Sequence, residues 1–548
     1  MRPRLLALPA AALLAATIAL VAAPSSADTL AFTTVRLDGA NGGTEPRVAV
    51  APDDKAYVIT NADNGTAAVY GSSDHGTTWA RTPGDPLNQE SPTIDTDIVV
   101  TPTGRLVASE LDFAGTSGAI NFKNSYSDDR GESWHESTGA TFSDTDRQWF
   151  AVGPNDATTG KPRVYILWHN LLSGFAAHNM WVQTSTDGGA TFGPPVPTTL
   201  PGSQAYADLQ CADSGGPSGM AVGPTGRIYV FFGTRTSTVE PAGGCGAGVS
   251  PGPFEINVVS ATRVWVASSA DGSVGSWTQS MAVDRSATGQ VVGMELSPGA
   301  VDRAGNVYVT FPESKDATDF TAAIKYVVAP PDLSSWSDPK TVAPLAGAGN
   351  ILPHVIAGDA GRLTFAYYEG ELRGSGAPQW YSVVAQTLNG LSAAPQFTRA
   401  RLSPVPTYSG TAAALMAQCG SGPAKGVENG FACDRSADVY GIALDNRGFT
   451  YVTWPAVGSA GPGANGGTYV AAQTAGASLF GAAAPAVKPP VAKPAGKPVG
   501  KPAVRPPARV PIALPATGLP GAIAVVAALL VGAALLLRRY RGRGGDGT

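Results

Sequence analysis

The chain has 548 residues, a formal net charge of −5 and only 14% charged residues, beside 67 glycines and 45 prolines. Such a composition, with little helical periodicity and many short β-prone runs, excludes a helical bundle and points to an all-β repeat architecture. No Gly-rich loop runs from a strand into a helix, the five histidines are not spaced as metal ligands, and no Gly-x-Ser-x-Gly elbow occurs. Neither a cofactor nor a metal is therefore expected.

Residues 1–27 read as a secretory signal peptide. Arg2 and Arg4 precede an apolar stretch from Leu5 to Ala23, and Ser25-Ser26-Ala27 supplies the small residues of a cleavage site before Asp28. The two cations of this segment, six in residues 482–513 and a net three in the tail leave the body, 28–481, at −16. An acidic secreted body argues against nucleic acid as a partner.

Within the body one hairpin pattern recurs: a short apolar strand, a tight turn often containing Gly, and a second strand often centred on Tyr. The copies are Arg47–Thr60, Asp97–Glu110, Trp149–His169, Gly219–Phe232, Gly299–Phe311, His354–Tyr367 and Gly441–Trp454. A second pattern, Ser-x-Asp-x-Gly-x-Ser/Thr-aromatic, follows the first three copies. It reads Ser72-Ser73-Asp74-His75-Gly76-Thr77-Thr78-Trp79, Ser127-Asp128-Asp129-Arg130-Gly131-Glu132-Ser133-Trp134, and Ser185-Thr186-Asp187-Gly188-Gly189-Ala190-Thr191-Phe192. In such a turn Asp accepts backbone N–H groups, Gly takes φ > 0, and the ring packs beneath the hairpin. A decayed fourth copy is visible at Ser269-Ala270-Asp271-Gly272, with Trp277 displaced.

This pattern resembles the Asp-box of the sialidase superfamily of β-propellers. The resemblance covers roughly residues 44–475, and it makes Asp74, Asp129 and Asp187 structural, on the face away from any active site. A single β-propeller is expected, with seven blades favoured by the seven hairpins and six, as in catalytic sialidases, the alternative. The last copy has a third strand at Thr468–Gln473 but no fourth, and Thr29–Leu37 is an orphan strand. Supplying it as the missing outer strand closes the ring and removes the exposed edges. The chain is expected to be monomeric.

The four cysteines suit an oxidising compartment. Cys211 with Cys245, and Cys419 with Cys433, each closing a local loop, is the expected pairing among the three possible. Residues 482–513 are rich in Pro and Ala, with Lys and Arg and no acid. As polyproline II they extend to roughly 100 Å, at about 3.1 Å per residue, and read as a semi-rigid linker spanning the wall. Residues 514–548 hold Leu514-Pro515-Ala516-Thr517-Gly518, an apolar run from Gly521 to Leu537, and Arg538, Arg539, Arg541 and Arg543. This order resembles the LPxTG sorting signal of Gram-positive surface proteins. It implies cleavage by a sortase between Thr517 and Gly518 and a covalent bond from Thr517 to peptidoglycan. A plain C-terminal membrane anchor is the alternative.

The repeat also assigns faces. The boxes join third to fourth strands, so first-strand starts and second-strand ends converge on the opposite face, around the axis. First-strand starts bring Glu45, Arg47, Asp95, Asp97, the run Asp146-Arg147-Gln148-Trp149, and His354. Second-strand ends bring Asp63, Asp112, His169, Arg235, Glu313, and Tyr368 with Glu369. These residue types read either as a polar pocket or as a solvated rim of ion pairs. Sialidases clamp a substrate carboxylate with arginines, use an Asp as acid/base, and use a Tyr activated by a Glu as nucleophile. Carried over by position, Arg47 matches the first-strand arginine, although the family's Ile-Pro is replaced by Val48-Ala49. Asp63 is then the acid/base, Tyr368 the nucleophile, and Glu313 or Glu369 its partner. Arg147, Arg235, Arg373, Asp112, Trp149 and His169 are the remaining substrate-binding candidates.

Three readings follow. The first is a wall-anchored exo-glycosidase that hydrolyses terminal sugars of an extracellular glycan or glycoconjugate. The second is a non-catalytic adhesin that binds glycan or protein on the same scaffold, and the third a structural wall protein. An arginine triad around one pocket with a Tyr–Glu pair separates the first from the second.

Overall fold

The structure is a computed structural model. It describes residues 29–481 apart from 41–44, 88–92, 94, 113–120, 140–144, 171–178, 211–216, 235–260, 289, 293–297, 316–321, 375, 411–439 and 457–465. The signal peptide, the linker, the sorting signal with Thr517 and Gly518, Arg235 and the four cysteines all lie outside the described residues.

Seven antiparallel sheets form a β-propeller. Blades 1 to 6 run Arg47–Arg81, Thr96–Glu136, Thr145–Pro197, Pro217–Asp284, Gly299–Ala343 and Gly349–Arg401. Each is built from strands in chain order from first to fourth, and blade 6 carries the extra pair Tyr408–Ser409 on its third strand. The first strand of every blade touches the first strand of the next, and that of blade 7 touches that of blade 1. The ring is closed, and it has seven blades.

Closure uses both ends of the body. Blade 7 takes Gly441–Leu444, Thr450–Ala456 and Gly467–Ala475 from the C-terminal side, and its outer strand is Ala31–Arg36. The two ends pair antiparallel from Ala31 opposite Ala475 to Arg36 opposite Tyr469. Every strand of blade 7 thereby gains a partner, as the orphan N-terminal run requires.

Second strands are buried on both faces, which explains their unbroken apolar and aromatic content. Ala56–Asn61, Ile228–Thr234 and Thr450–Ala456 are buried at every position. Their side chains fill the gaps between neighbouring blades. One apolar cluster joins blades 7 and 1 through Val58, Tyr70, Tyr451 and Val470. Others join blades 1 and 2 through Ile59, Val69 and Leu106, and blades 4 and 5 through Phe231, Val266, Val307 and Val327. The core is thus a ring of interfaces, each bounded by two twisted sheets.

The boxes form as their chemistry dictates. Asp74 Oδ1 accepts from Ser72 Oγ and Thr78 N–H, both at 2.9 Å, and Ser72 Oγ accepts from Gly76 N–H at 2.9 Å. Asp129 and Asp187 repeat this arrangement with Ser127 and Ser133, and with Ser185 and Thr191. Side-chain and backbone donors of Thr78 and Ser133 hold Asp74 and Asp129 down at about 2, from an ordinary 3.8. Because the folded value is lowered, the stabilisation is complete above pH 3.8 and lost as pH falls through about 2. The box glycines have a second reason to be glycine. Gly76, at φ 81°, leaves no room for a Cβ, which would lie 2.5 Å from Ala472 of blade 7. Gly189 stands likewise against Val107 of blade 2. Each of these boxes therefore seats its blade on the preceding one.

The decayed box keeps part of this function. Asp271 accepts from Ser273 N–H at 3.0 Å, and Trp277 is still buried within the cluster joining blades 3 and 4. Sequence displacement moved the ring along the chain without taking it out of the core.

Trp134 is buried at 7% exposure and donates Nε1–H to Gly84 O of blade 1 at 3.3 Å, whereas Trp79 is only half-buried. Trp134→Ala is expected to cost about 3–5 kcal/mol in urea unfolding, and Trp79→Ala clearly less. Equal costs would mean that exposure does not set the penalty here.

Candidate functional site

The two faces separate as the repeat requires. On the box face, Arg130 pairs with Asp53 of the blade 1 inner turn at 2.7 Å, and Arg105 joins Asp128 to the carbonyl of Asp187. First-strand starts and second-strand ends lie at the other end of the strands and form the mouth.

In the mouth sector of blades 1 to 3, two ion pairs cross between blades. Glu45, just before the first strand of blade 1, accepts from Arg147 Nη1 of blade 3 at 2.8 Å, and both side chains are 4% exposed. Beside it Arg47 Nε reaches Asp97 Oδ1 of blade 2 at 3.1 Å. Arg47 also donates to Tyr440 O of blade 7 at 2.9 Å and lies 4.5 Å from the centre of the Trp149 ring of blade 3. One guanidinium thus ties four blades together. Asp97 accepts Ile98 N–H at 2.9 Å and Phe150 N–H at 2.6 Å. Burial pushes its carboxyl up, against the pull of Arg47 and these donors. Asp95, Thr96, Glu110 and Gln148 are buried in the same sector, with Gln148 Nε2–H donating to Asp95 O at 3.0 Å.

The backbone here is strained. Glu45 sits at φ 41° and Arg147 at φ 59°, where side-chain-bearing residues are uncommon. Arg147 occupies a bulge, because the pairing register slips between Asp146 and Trp149. Such a bulge re-aims a side chain, here across the mouth to blade 1. Blade 6 uses the same device at Ile351–His354, with Leu352 at φ 56°.

The tyrosine candidate is placed differently from the expectation. Tyr368 is fully buried, with its ring 4.5 Å from that of Tyr440 and its hydroxyl 3.4 Å from the Pro455 carbonyl. Glu369 alternates to the other side of the strand and accepts from Arg399. Glu313, on blade 5, accepts from Arg285 at 2.9 Å and from Lys325. Burial would raise Glu313, but hydrogen bonds from Lys325 and Arg285 hold it below the ordinary range. Neither glutamate is brought to the Tyr368 hydroxyl, since each belongs to an ion pair elsewhere.

The other candidates scatter along the rim. Arg373, 57% exposed, pairs with Glu371 at 3.3 Å and donates to the Tyr381 hydroxyl at 2.9 Å. Asp63 is exposed in the hairpin after the second strand of blade 1, where its charge acts on Tyr70 and Arg81 of the outer strands. His169 pairs in register with Asp146 at the end of the blade 3 second strand. Asp112 ends the second strand of blade 2, and its side chain lies outside the described residues.

Several residues of the mouth escaped the sequence reading. Tyr440 directly precedes the blade 7 first strand and donates its N–H to His354 Nε2 at 3.4 Å, a position that a scan of first-strand starts could have included. Asp208, in the short helix Gln204–Leu209, takes a two-oxygen contact from Arg263 at 3.0 and 3.1 Å and Nε1–H of Trp265 at 3.2 Å. Nothing in the repeat points to it, because it lies in the connection between blades 3 and 4.

No protein-family model and no curated protein matches the chain. Among solved structures it is similar to a GH93 α-L-arabinofuranosidase of Fusarium graminearum in complex with arabinobiose, at 11% identity and a TM-score of 0.41, over 82% of this chain and 97% of that one. It is also similar to a Penicillium chrysogenum α-L-arabinanase complexed with arabinobiose, at 11% identity and a TM-score of 0.39, over 82% and 98%. The NanB sialidase of Streptococcus pneumoniae gives 12% identity and a TM-score of 0.38 over 82% and 71%. At these identities the likeness concerns the fold alone.

Proposed function

We propose that the protein is a glycoside hydrolase of extracellular glycans that takes an uncharged terminal sugar in the mouth sector of blades 1 to 3. The observation that carries this reading is the buried Glu45–Arg147 pair, held at two positive-φ positions beside Arg47–Asp97. Buried charges on strained backbone are costly, and a solvated rim has no need of them. A preorganised site does.

The uncharged sugar follows from the same pairs. Arg147 is buried against Glu45, and Arg47 already holds Asp97 and the Tyr440 carbonyl, so a substrate carboxylate meets guanidinium groups whose charge chain carboxylates already balance. Hydrolysis then rests on two carboxyl groups, the usual arrangement for glycosides. Asp63, exposed on the rim, is the proton donor to the leaving group. One of the two buried carboxyl groups of blade 2, Asp95 or Glu110, supplies the second carboxylate. Tyr368 packs the wall of the mouth.

Assay of the secreted 28–481 body on a panel of fluorogenic glycosides tests this reading. Turnover of an uncharged glycoside is expected, with sialosides untouched and Tyr368→Phe within about threefold of the parent. Sialoside turnover, or a loss of orders of magnitude in Tyr368→Phe, would return the tyrosine mechanism. The engagement of Glu313 and Glu369 by other partners favours a second reading, a glycan receptor. It is established if no glycoside turns over while glycan binding is lost in Arg47→Ala.

The protein acts, on this proposal, while fixed to the wall of a Gram-positive cell through Thr517. Thr517→Ala is expected to move it from the covalent wall fraction to the membrane or the medium. Unchanged recovery from muramidase digests would remove the sorting reading.

A further inference from the structure

A repeated fold lets one blade be compared with the others. Level with the start of the first strand, the second and third strands of each blade carry two residues opposite each other in register. They are Ile59–Val69 in blade 1, Leu167–Val182 in blade 3, Phe231–Val266 in blade 4 and Ala366–Val384 in blade 6. Blades 5 and 7 have Thr310–Tyr326 and Thr453–Val470. Each hydroxyl there donates to a carbonyl: Thr310 to Lys325 at 2.9 Å, Tyr326 to Gly390 at 2.7 Å and Thr453 to Pro46 at 3.0 Å. Blade 2 instead places Ser109 opposite Asn124.

Ser109 and Asn124 are buried, at 0% and 3% exposure. Yet Ser109 Oγ and both polar atoms of the Asn124 side chain have no hydrogen-bond partner among the described residues. Buried hydroxyls and amides are nearly always bonded, because nothing else offsets their loss of water. The pair faces blade 3. Val107 and Leu111 flank Ser109 on its strand, Phe122 stands two residues before Asn124, and all three pack with Phe150, Ile166 and Trp168 of blade 3.

The row is closed at both ends by bonds to blade 3. On the axial side Asp97, opposite Ser109, accepts from Phe150 N–H at 2.6 Å. On the outer side Ser137 donates its N–H to Asn124 O at 2.9 Å and its hydroxyl to Gly189 O of blade 3 at 2.6 Å. Between these contacts blade 3 presents apolar surface, with the indole N–H of Trp168 already given to Gln183 Oε1 at 2.9 Å.

We infer that the gap between blades 2 and 3 is a water site, in which Ser109 Oγ and the Asn124 amide hold ordered water in line between Asp97 and Ser137. Water is the ligand these groups suit. They offer a hydroxyl, an amide oxygen and an amide N–H within a closed gap, and a buried water takes about three hydrogen bonds. A charged ligand is not called for, since Asp97 is balanced by Arg47.

The neighbour of the site gives it a role. Residues directly opposite on adjacent strands have their Cβ atoms about 5 Å apart, so water at Ser109 lies beside Asp97. Burial pushes the Asp97 carboxyl up, and water there lessens that desolvation, which keeps charged the group that holds Arg47. The other charged groups of the sector are Glu45 and Arg147, paired with each other, and Asp95 and Glu110. Ser109 and Asn124 are thus positioning residues, acting on the mouth through Asp97 and Arg47. That role rests on the proposed hydrolase reading, and the water site itself does not.

The test gives blade 2 the pair that blade 1 uses, as Ser109→Ile/Asn124→Val in the 28–481 body. Asn124→Leu, close to asparagine in volume, is measured alongside so that overpacking by isoleucine does not decide the result. Crystals of the parent are expected to show ordered water bonded to Ser109 Oγ and to the Asn124 amide, and crystals of the double variant none. Both variants are expected to melt at or above the parent, because no buried polar group is left to be hydrated. Infrared titration of protein labelled with carbon-13 aspartate, with Asp97→Asn identifying the band, is expected to show Asp97 protonating at higher pH in both variants. A dry gap in the parent crystal, or an Asn124 amide bonded directly to protein, overturns the site. An Asp97 midpoint unmoved in both variants overturns the positioning role. Absence of glycoside turnover removes the hydrolase reading alone, since neither the crystals nor the titration depend on it.

Discussion

Deletion of residues 28–37 is expected to unfold the propeller cooperatively and not to trim one blade. Ala31–Arg36 supplies the outer strand of blade 7 against Gly467–Ala475. Its side chains continue the attachment: Thr34 Oγ1 donates to Leu402 O of blade 6 at 2.8 Å, and Arg36 Nε to Gly466 O at 2.7 Å. Leu37 is 1% exposed in the interface between blades 7 and 1. At about 1 kcal/mol net per backbone hydrogen bond, the lost ladder alone amounts to several kcal/mol, and burial of Leu37 adds about 2 more. Total stability is typically about 5–15 kcal/mol, so the loss is of the same order. Circular dichroism melts of the truncated body, with the soluble yield, read this directly. A truncated body melting within a few degrees of the parent would show that the N-terminal strand is ornamental to the ring.

The second large effect concerns the buried pair in the mouth. Glu45→Ala or Arg147→Ala alone is expected to cost about 3–5 kcal/mol, because each leaves the other charge in a site with almost no access to water. The double variant Glu45→Leu/Arg147→Met is expected to recover much of that loss, since it removes both charges and keeps most of the volume. It also separates the two roles of the pair. Stability returns while turnover does not, if the pair preorganises the sugar site. Urea midpoints and glycoside turnover of the same three variants give the answer. Additive losses in stability would show that the two residues are not coupled, and full activity in the double variant would make the pair a blade fastener only.

The engagement of mouth arginines by chain carboxylates recurs beyond this pair. Arg263 is held by Asp208, Arg285 by Glu313, and Arg373 by Glu371. The first two lie where neighbouring blades meet and exchange an inter-blade gap for a directional contact, whereas Arg373–Glu371 stays within one hairpin of blade 6. Their weight in stability falls with exposure. Arg373–Glu371 contributes little, being open to solvent, whereas Glu45–Arg147 is closed.

The strands, the turns and the closure of the ring were legible in the sequence because their causes are local. An Asp-box needs only a carboxylate, a glycine and a ring at fixed offsets, and Asp74 with Thr78, or Asp129 with Ser133, satisfies it within one turn. The apolar runs of the second strands and the lone strand before Glu45 likewise announce themselves, since a strand without a partner has to find one. Even the decayed box at Asp271 kept enough of its pattern to be recognised.

The site was legible only as a population of residues. Reading positions at first-strand starts and second-strand ends brought Glu45, Arg47, Asp97, Arg147 and Trp149 to one mouth, and these do assemble there. Reading the same positions also suggested Tyr368 with Glu369, which adjacent positions on one strand cannot deliver, because successive side chains point to opposite faces. Which charge meets which depends on the twist and spacing of blades 102 residues apart in the case of Glu45 and Arg147. It also depends on a one-residue slip in the register of blade 3. Local chemistry determines the repeat, its turns and the number of blades. The partners within the mouth are decided by the closed ring, because only closure sets the angles at which distant strands aim their side chains.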